Sequence, residues 1–250
     1  MTALVTGASS GIGRDIARKL GKMGIRLIVT GRDRESLEAL RQEIGARRVK
    51  VITADVSRRD ECIRLYREAS VYGVDILVNN AGFGLYGKFS VTELDRELDM
   101  IDVNIGAVHI LTKLFLKDFS ARDKGYILNV ASIAGFMPGP LMSTYYASKN
   151  YVVRLTEAIH EELRCQHSRV YIGAFCPGPV DTNFNSTAGV RFALRGISSE
   201  YAAECAVNGM FKRKTLIFPT ASVRASIFAS RLLPDSVVAV AARLVQSQKG

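Results

Sequence analysis

Short apolar runs alternate with longer segments of helical period along most of this chain. The runs at 3–6, 26–30, 49–53, 75–79, 126–130 and 170–175 are rich in Val, Ile and Leu, and each is four to six residues long. That length and composition predict strands buried on both faces. Between them the apolar spacing changes. Ile16 and Leu20 share one face of the segment 14–24. Leu37, Leu40 and Ile44 share one face of 33–45, which closes at Gly45, a residue suited to ending a helix. Strands and helices in turn predict a parallel sheet covered on both sides. No repeat or linker breaks the pattern, so residues 1–250 read as a single doubly wound α/β domain. A seven-stranded parallel sheet in the order 3-2-1-4-5-6-7 is expected, a topology that the right-handed crossover rule supports.

Composition narrows the class. A chain of 250 residues with 48% hydrophobic content can bury one substantial core. No unbroken apolar run reaches the ~18 residues of a membrane span. The chain starts directly in a strand-like run with no basic and apolar leader, so a cytoplasmic protein is expected. Cys62, Cys165, Cys176 and Cys205 are widely spaced, which suits free thiols. His109, His160 and His167 have no metal-ligand spacing, so no metal is expected. The net charge of +10 is uneven: residues 211–250 hold seven Lys or Arg against one acid, Asp235. No aromatic-rich basic stripe or recognition-helix signature accompanies it, so nucleic acid is not the expected partner.

The stretch TGASSGIG, residues 6–13, follows the first strand and opens the first helix. Gly7, Gly11 and Gly13 allow a tight turn and close approach of a ligand, and the helix start offers N–H groups to a pyrophosphate. With Ser9, Ser10 and Ile12 they form the expected phosphate-binding set of a Rossmann-type domain. Gly7, Ser9 and Gly11 also fit G-x-S-x-G, the nucleophile elbow of α/β-hydrolases. A hydrolase needs an acid and then a histidine downstream, and the last histidine, His167, lies in a polar stretch. That reading is set aside. The second strand ends in Gly31, where an acid would hold adenosine ribose hydroxyls. Arg32 follows, and its planar fork of donors suits a 2′-phosphate, so NADP(H) is expected. Asp33 then caps the next helix. The alternative is that Asp33 holds a ribose hydroxyl and the cofactor is NAD(H).

YYASK, residues 145–149, opens a helical segment at 143–165. Tyr145 stands four residues before Lys149 and Tyr146 three, so either pair could meet on a helix face. Spacing alone leaves the choice open.

Residues 2 to about 182 resemble the short-chain dehydrogenase/reductase family. The resemblance rests on TGASSGIG at 6–13, ADV at 54–56, NNAG at 79–82, DVN at 102–104, VAS at 130–132, YYASK at 145–149 and CPGPVDT at 176–182. The family motif Tyr-x-x-x-Lys implies Tyr145 as acid/base with Lys149 beside it, and Tyr146 at a variable position. Ser132 matches the catalytic serine and Asn104 the helix asparagine, which holds a water in a proton relay. The chemistry accords with this. Hydride addition to a ketone leaves charge on oxygen that needs a proton, and an adjacent ammonium favours the phenolate of a tyrosine. Ser132 would orient the carbonyl. The resemblance further implies Asp55 at the adenine ring, with Val56 among the cofactor residues, and Asn80, Ala81 and Gly82 under the cofactor. Lys149 would grip the nicotinamide ribose. Pro177, Gly178, Val180 and Thr182 would face the nicotinamide amide, and residues 183–197 would form a substrate lid. In the family, helices at 102–119 and 143–165 pair across a two-fold axis, which implies a homodimer or homotetramer. Val108, Leu111 and Phe115 are among the apolar positions on the first.

The fuller match is to bacterial short-chain oxidoreductases, which resemble long-chain 3-ketoacyl and hydroxysteroid reductases. Phe83, Tyr86, Phe136, Met137, Met142, Tyr146 and Phe184 could line an apolar pocket. The expected activity is hydride transfer between NADP(H) and a carbonyl or secondary alcohol with an apolar body; a protein that only senses NADP is the alternative. The tail at about 219–248 reads as two helical segments split at Pro234 and Asp235. Val237, Val238, Ala241 and Val245 lie near one another on the second, with arginines at 224, 231 and 243. Such a segment can lie on an anionic membrane. Packing on the lid or on a second subunit is favoured, because the apolar residues are small and Trp is absent.

Overall fold

A computed structural model describes residues 1–182, 196–230 and 232–247. The sheet begins with β1 (Thr2–Thr6), β2 (Arg26–Gly31) and β3 (Val49–Thr53). Helices α1 (Gly11–Lys22), α2 (Arg34–Ile44) and α3 (Arg59–Ser70) alternate with them and lead to β4 (Ile76–Asn79). All five residues of β1 are buried, as expected for a central strand with no alternation. After β4 the chain forms α4 (Leu94–Ile101), a π-helical segment (Asp102–Ala107) and α5 (Val108–Ala121). Next come β5 (Tyr126–Val130), a 3-10 turn (Ile133–Phe136), α6 (Ser143–Cys165) and β6 (Tyr171–Phe175). A small parallel pair, β7 (Val180–Asp181) and β8 (Ile197–Ser198), precedes α7 (Ser199–Phe211) and β9 (Leu216–Ile217). The tail is α8 (Ala221–Ser230) and α9 (Asp235–Ser247).

The main sheet has seven parallel strands in the order β3-β2-β1-β4-β5-β6-β9. Its sequence-order logic is the expected one, with β9 as the seventh strand. β1 pairs with β2 on one side and β4 on the other, in register Val5 with Val29 and Val5 with Val78. The strand order reverses there, which opens a crevice at the carboxyl ends of β1 and β4. Apolar residues from the strands face both ways. One core cluster joins Val5, Val29 and Val78 to Ile16, Leu20, Leu37 and Leu40. The other joins Leu4, Ile28 and Leu77 to Cys62, Leu65, Leu111 and Phe115.

Two features depart from the sequence pattern. The helix expected at 102–119 continues from α4 through the π segment, so Asn104 sits where the helix is wider than an α-turn. Val108, Leu111 and Phe115 are also no subunit-facing row. They are 5%, 0% and 1% exposed and pack into the protomer's own core. The exposed positions of α5 include His109, Lys113 and Lys117.

Candidate active site

The glycine turn is tied to the end of β4. The Thr6 hydroxyl accepts the backbone N–H groups of Asn80 and Ala81 at 2.9 and 3.0 Å. The Asn80 amide donates to the carbonyls of Thr6 and Gly7 at 2.9 and 3.2 Å. Gly7 takes φ +63°, and a Cβ there would stand 2.9 Å from the Ala81 backbone. A Cβ on Gly13 would lie 2.2 Å from the Asn80 amide nitrogen and 2.4 Å from the Gly7 carbonyl. Gly13 is thus a close-packing position and does not line the cavity, unlike the rest of its expected set. Ser10 stands at the N-cap of α1 with no capping bond from its side chain, and the first turn holds no acid. A pinched turn and a helix start without a neutralising carboxylate fit an anionic dinucleotide.

A cavity of about 1060 Å³ runs from this turn across the sheet end. Gly7, Ser9, Ser10, Gly11, Ile12, Asp55, Val56, Asn80, Ala81, Gly82, Pro177, Gly178, Val180 and Thr182 all line it, as do Tyr145 and Lys149. Arg32 is on its wall and Asp33 is not. The Asp33 carboxylate instead accepts the Ser36 backbone N–H at 3.1 Å as the cap of α2. Asp55 closes its own turn by accepting the Ser57 N–H and hydroxyl at 3.1 and 2.9 Å.

Ser132, Tyr145 and Lys149 meet on the cavity beyond the phosphate end. Ser132 ends the loop after β5, caps the 3-10 turn through Ala134 N–H at 3.1 Å, and hydrogen-bonds to the Tyr145 hydroxyl. Tyr145 is 9% exposed, and burial pushes its hydroxyl up to about 12 against the pull of Ser132. Lys149 is 5% exposed, one turn along α6, and donates to the Val130 carbonyl at 2.9 Å. Its ammonium lies 5.9 Å from the centre of the Tyr145 ring, and burial pulls it down to about 8. Desolvation therefore dominates at both groups in the protein alone, and both are poised toward neutrality.

Asn104 is fully buried and its amide is engaged on all sides. It accepts from Phe83 N–H at 3.1 Å and donates to the Phe83 carbonyl at 2.9 Å and the Ser148 hydroxyl at 3.0 Å. It does not line the cavity, and it fixes the segment after Gly82 to α6.

Phe83, Met137, Met142 and Tyr146, read as substrate-pocket residues, line the cavity around Tyr145. Phe136 does not: its ring packs on Phe218 at 5.8 Å, away from the cavity. Phe184 and nearly all of the lid at 183–197 lie outside the described residues. Sequence reasoning missed Arg96, whose guanidinium lies 5.4 Å over the Phe83 ring at the cavity wall. It also missed the tail as a wall. Ser226, Ala229, Leu233, Val238, Ala242 and Gln246 all face this cavity. The tail face differs from the expected one. Val238 and Ala242 are 7% and 9% exposed, while Val237 is 49% exposed and Ala241, though on the cavity rim, is exposed; the Val245 side chain lies outside the described residues. A turn of α9 advances by 3.6 residues, so the inward row is 238, 242, 246. Among the described residues no helix is long and apolar enough to cross a membrane.

Comparison with known proteins gives the same picture. The family model described as short chain dehydrogenase matches residues 1–190. An uncharacterized oxidoreductase of Staphylococcus aureus is 33% identical over 187 residues, covering 74% of this chain and 80% of that protein. The very-long-chain 3-oxoacyl-CoA reductase of Anas platyrhynchos is 37% identical over 171 residues, covering 65% of this chain and 54% of the reductase. A short-chain dehydrogenase from Sphingobium yanoikuyae, solved with NADPH, superposes with a TM-score of 0.83 at 27% identity, covering 92% of this chain and 93% of that one. Other solved neighbours carry NAD or NADP.

Proposed function

The chain belongs to the short-chain dehydrogenase family, and from that premise we propose that it transfers a hydride between NADP(H) and a ketone or secondary alcohol with an apolar body. One observation carries the reading: Ser132, Tyr145 and Lys149 converge on a cavity continuous with the phosphate-binding turn. Gly7, Ser9, Ser10, Gly11 and Ile12 would hold the pyrophosphate, and Gly82, Lys149 and the 177–182 segment the nicotinamide half. Bound there, the nicotinamide supplies or takes the hydride. The Ser132 hydroxyl orients the substrate carbonyl, and the Tyr145 hydroxyl gives its proton to that oxygen in reduction. In oxidation the same hydroxyl must lose its proton first. Burial opposes this, and the Lys149 ammonium favours it. Alcohol oxidation is therefore expected to rise with pH and carbonyl reduction to fall. Asn104, which the resemblance has holding a water in a proton relay, has its amide occupied by Phe83 and Ser148 and is assigned instead to positioning the Phe83 backbone beside the cavity.

NADP(H) is preferred because Arg32 lies on the cavity wall while Asp33 is occupied as a helix cap. NAD(H) is the alternative. The apolar wall of Phe83, Met137, Met142 and the tail supports a substrate with an apolar body. We assign the tail to this wall and not to a membrane surface, and we place the protein in the cytoplasm as a homodimer or homotetramer. The test is NADPH oxidation followed by absorbance across a panel of apolar ketones. Turnover supports the reading. Tight NADPH binding with no turnover of any ketone or alcohol would make the protein a nucleotide sensor instead.

A further inference from the structure

Besides Ser226 and Ser230, the tail wall contains a buried amide that the chemistry above does not use. Gln246 lies near the end of α9, is 1% exposed, and lines the cavity shared by Tyr145 and Ser132. Its Nε2 donates to the Tyr146 hydroxyl, and its backbone carbonyl accepts from the Tyr86 hydroxyl at 3.4 Å. Its Oε1 is buried and has no hydrogen-bond partner among the described residues. The neighbouring wall is apolar, with Val238, Ala242 and Met142. A buried acceptor left unpaired costs about as much as a lost hydrogen bond, so such a group calls for an explanation. An apolar side chain would complete this wall with no such cost. A tether to Tyr146 alone would need only one end of the amide.

We propose that the Gln246 amide, held by Tyr146, is a substrate-reading group whose Oε1 accepts a hydrogen bond from a hydroxyl or N–H on the substrate, away from the reacting carbonyl. The substrate class is then an apolar ketone that carries a second, donor-bearing group. This rests on the reading of Ser132, Tyr145 and Lys149 as the reducing centre. It also gives the two adjacent tyrosines separate tasks: Tyr145 moves the proton, and Tyr146 positions Gln246.

The experiment uses methyl ketones of increasing chain length, each in ω-hydroxy, ω-methoxy and ω-methyl form. Binding to the NADP⁺-loaded protein is measured by calorimetry, and reduction by NADPH oxidation. At the chain length that reaches Gln246, the hydroxy form should exceed the methoxy form by about tenfold in affinity and kcat/KM, the scale of one buried hydrogen bond. Gln246→Leu should bring that ratio close to one while reduction of the ω-methyl ketone continues. Gln246→Glu, which keeps an acceptor, should retain the preference and covers the case in which Gln246→Leu fails to fold. A wild-type protein that binds the three forms alike, or favours the methoxy form, overturns the inference. An equal loss for all three forms in Gln246→Leu also overturns it, since that is the result of a structural tether. Ketones that bind but are never reduced would instead sink the reductase reading, and the binding ratios would still decide the role of Gln246.

Discussion

At the scale of single residues, the proposed roles of the tyrosine pair separate chemistry from placement. Tyr145→Phe removes the hydroxyl bonded to Ser132, the proposed proton donor. It should lower kcat by several orders of magnitude and leave NADPH affinity unchanged in a fluorescence titration. Tyr146→Phe removes only the bond to Gln246. A loss of about 1 kcal/mol corresponds to a KM raised about fivefold with kcat largely kept. The reverse ranking would move the acid/base to Tyr146. Lys149 shows the cost of such a site. Burial holds its pKa near 8, against 10.5 for the free side chain. Below pH 8 both folded and unfolded forms are protonated, and the folded form carries the full penalty. As pH rises from 8 to 10.5 the unfolded chain keeps more protons, so stability rises through that window. Lys149→Met should thus stabilise the cofactor-free protein by about 2 kcal/mol at pH 7, after allowing for the lost bond to Val130. The gain should fade toward pH 10.5 in chemical denaturation, and activity should be lost. Arg32 bears on cofactor choice. Arg32→Ala should weaken NADPH binding by about 1.5 to 3 kcal/mol and leave NADH little changed. Equal affinity of the wild type for the two cofactors would reject the NADP assignment.

At the scale of elements, the site depends on how the β1–α1 turn is pinned to the end of β4. Asn80 bonds two carbonyls of the turn, and the space for that amide is the space a Gly13 Cβ would occupy. Gly13→Ala should cost about 1 to 3 kcal/mol through forced displacement of packed atoms. Because the displaced atoms belong to the turn, NADPH affinity should fall together with the melting temperature. A melting temperature that falls with NADPH affinity intact would separate the pinning from the binding. The tail is the other element that makes the site. α8 and α9 contribute small residues to the cavity wall and leave Phe228, Val240 and Leu244 outward, between 55% and 67% exposed.

For the whole molecule, assembly has to be argued without Val108, Leu111 and Phe115, since these belong to the core. The apolar surface lies instead before and along α4. Phe89, Val91 and Leu94 are about 70% exposed, and Leu98 and Ile101 continue the row at 47% and 37%. Leu94, Leu98 and Ile101 are spaced to share one helix face. A homodimer or homotetramer through this surface and the neighbouring helices is the expected state. Light scattering at micromolar concentration should give a dimer or larger species, and Leu98→Asp should shift it toward monomer. A wild-type monomer would contradict the assembly.

Much of this was legible in the chain itself. The six strands recur within a residue of their apolar runs, and α6 spans the residues its period marked, because buried strands and amphipathic helices announce themselves locally. The phosphate turn was readable because its spacing is part of the chemistry, whereas Ser132, Tyr145 and Lys149 were readable through the family resemblance, since spacing alone left Tyr145 and Tyr146 open. β9 was not, since two residues are too few to carry a period. The use of Gly13 as packing space, the placing of Phe136 outside the cavity and the inward face of α9 were not readable either. Each depends on what meets a side chain from far along the chain, as in the bond between Gln246 and Tyr146 across 100 residues. Local sequence sets the period of a helix, but which of its faces is buried is decided by the surface it packs against. Here that surface is the wall of the cavity shared with Ser132, Tyr145 and Lys149.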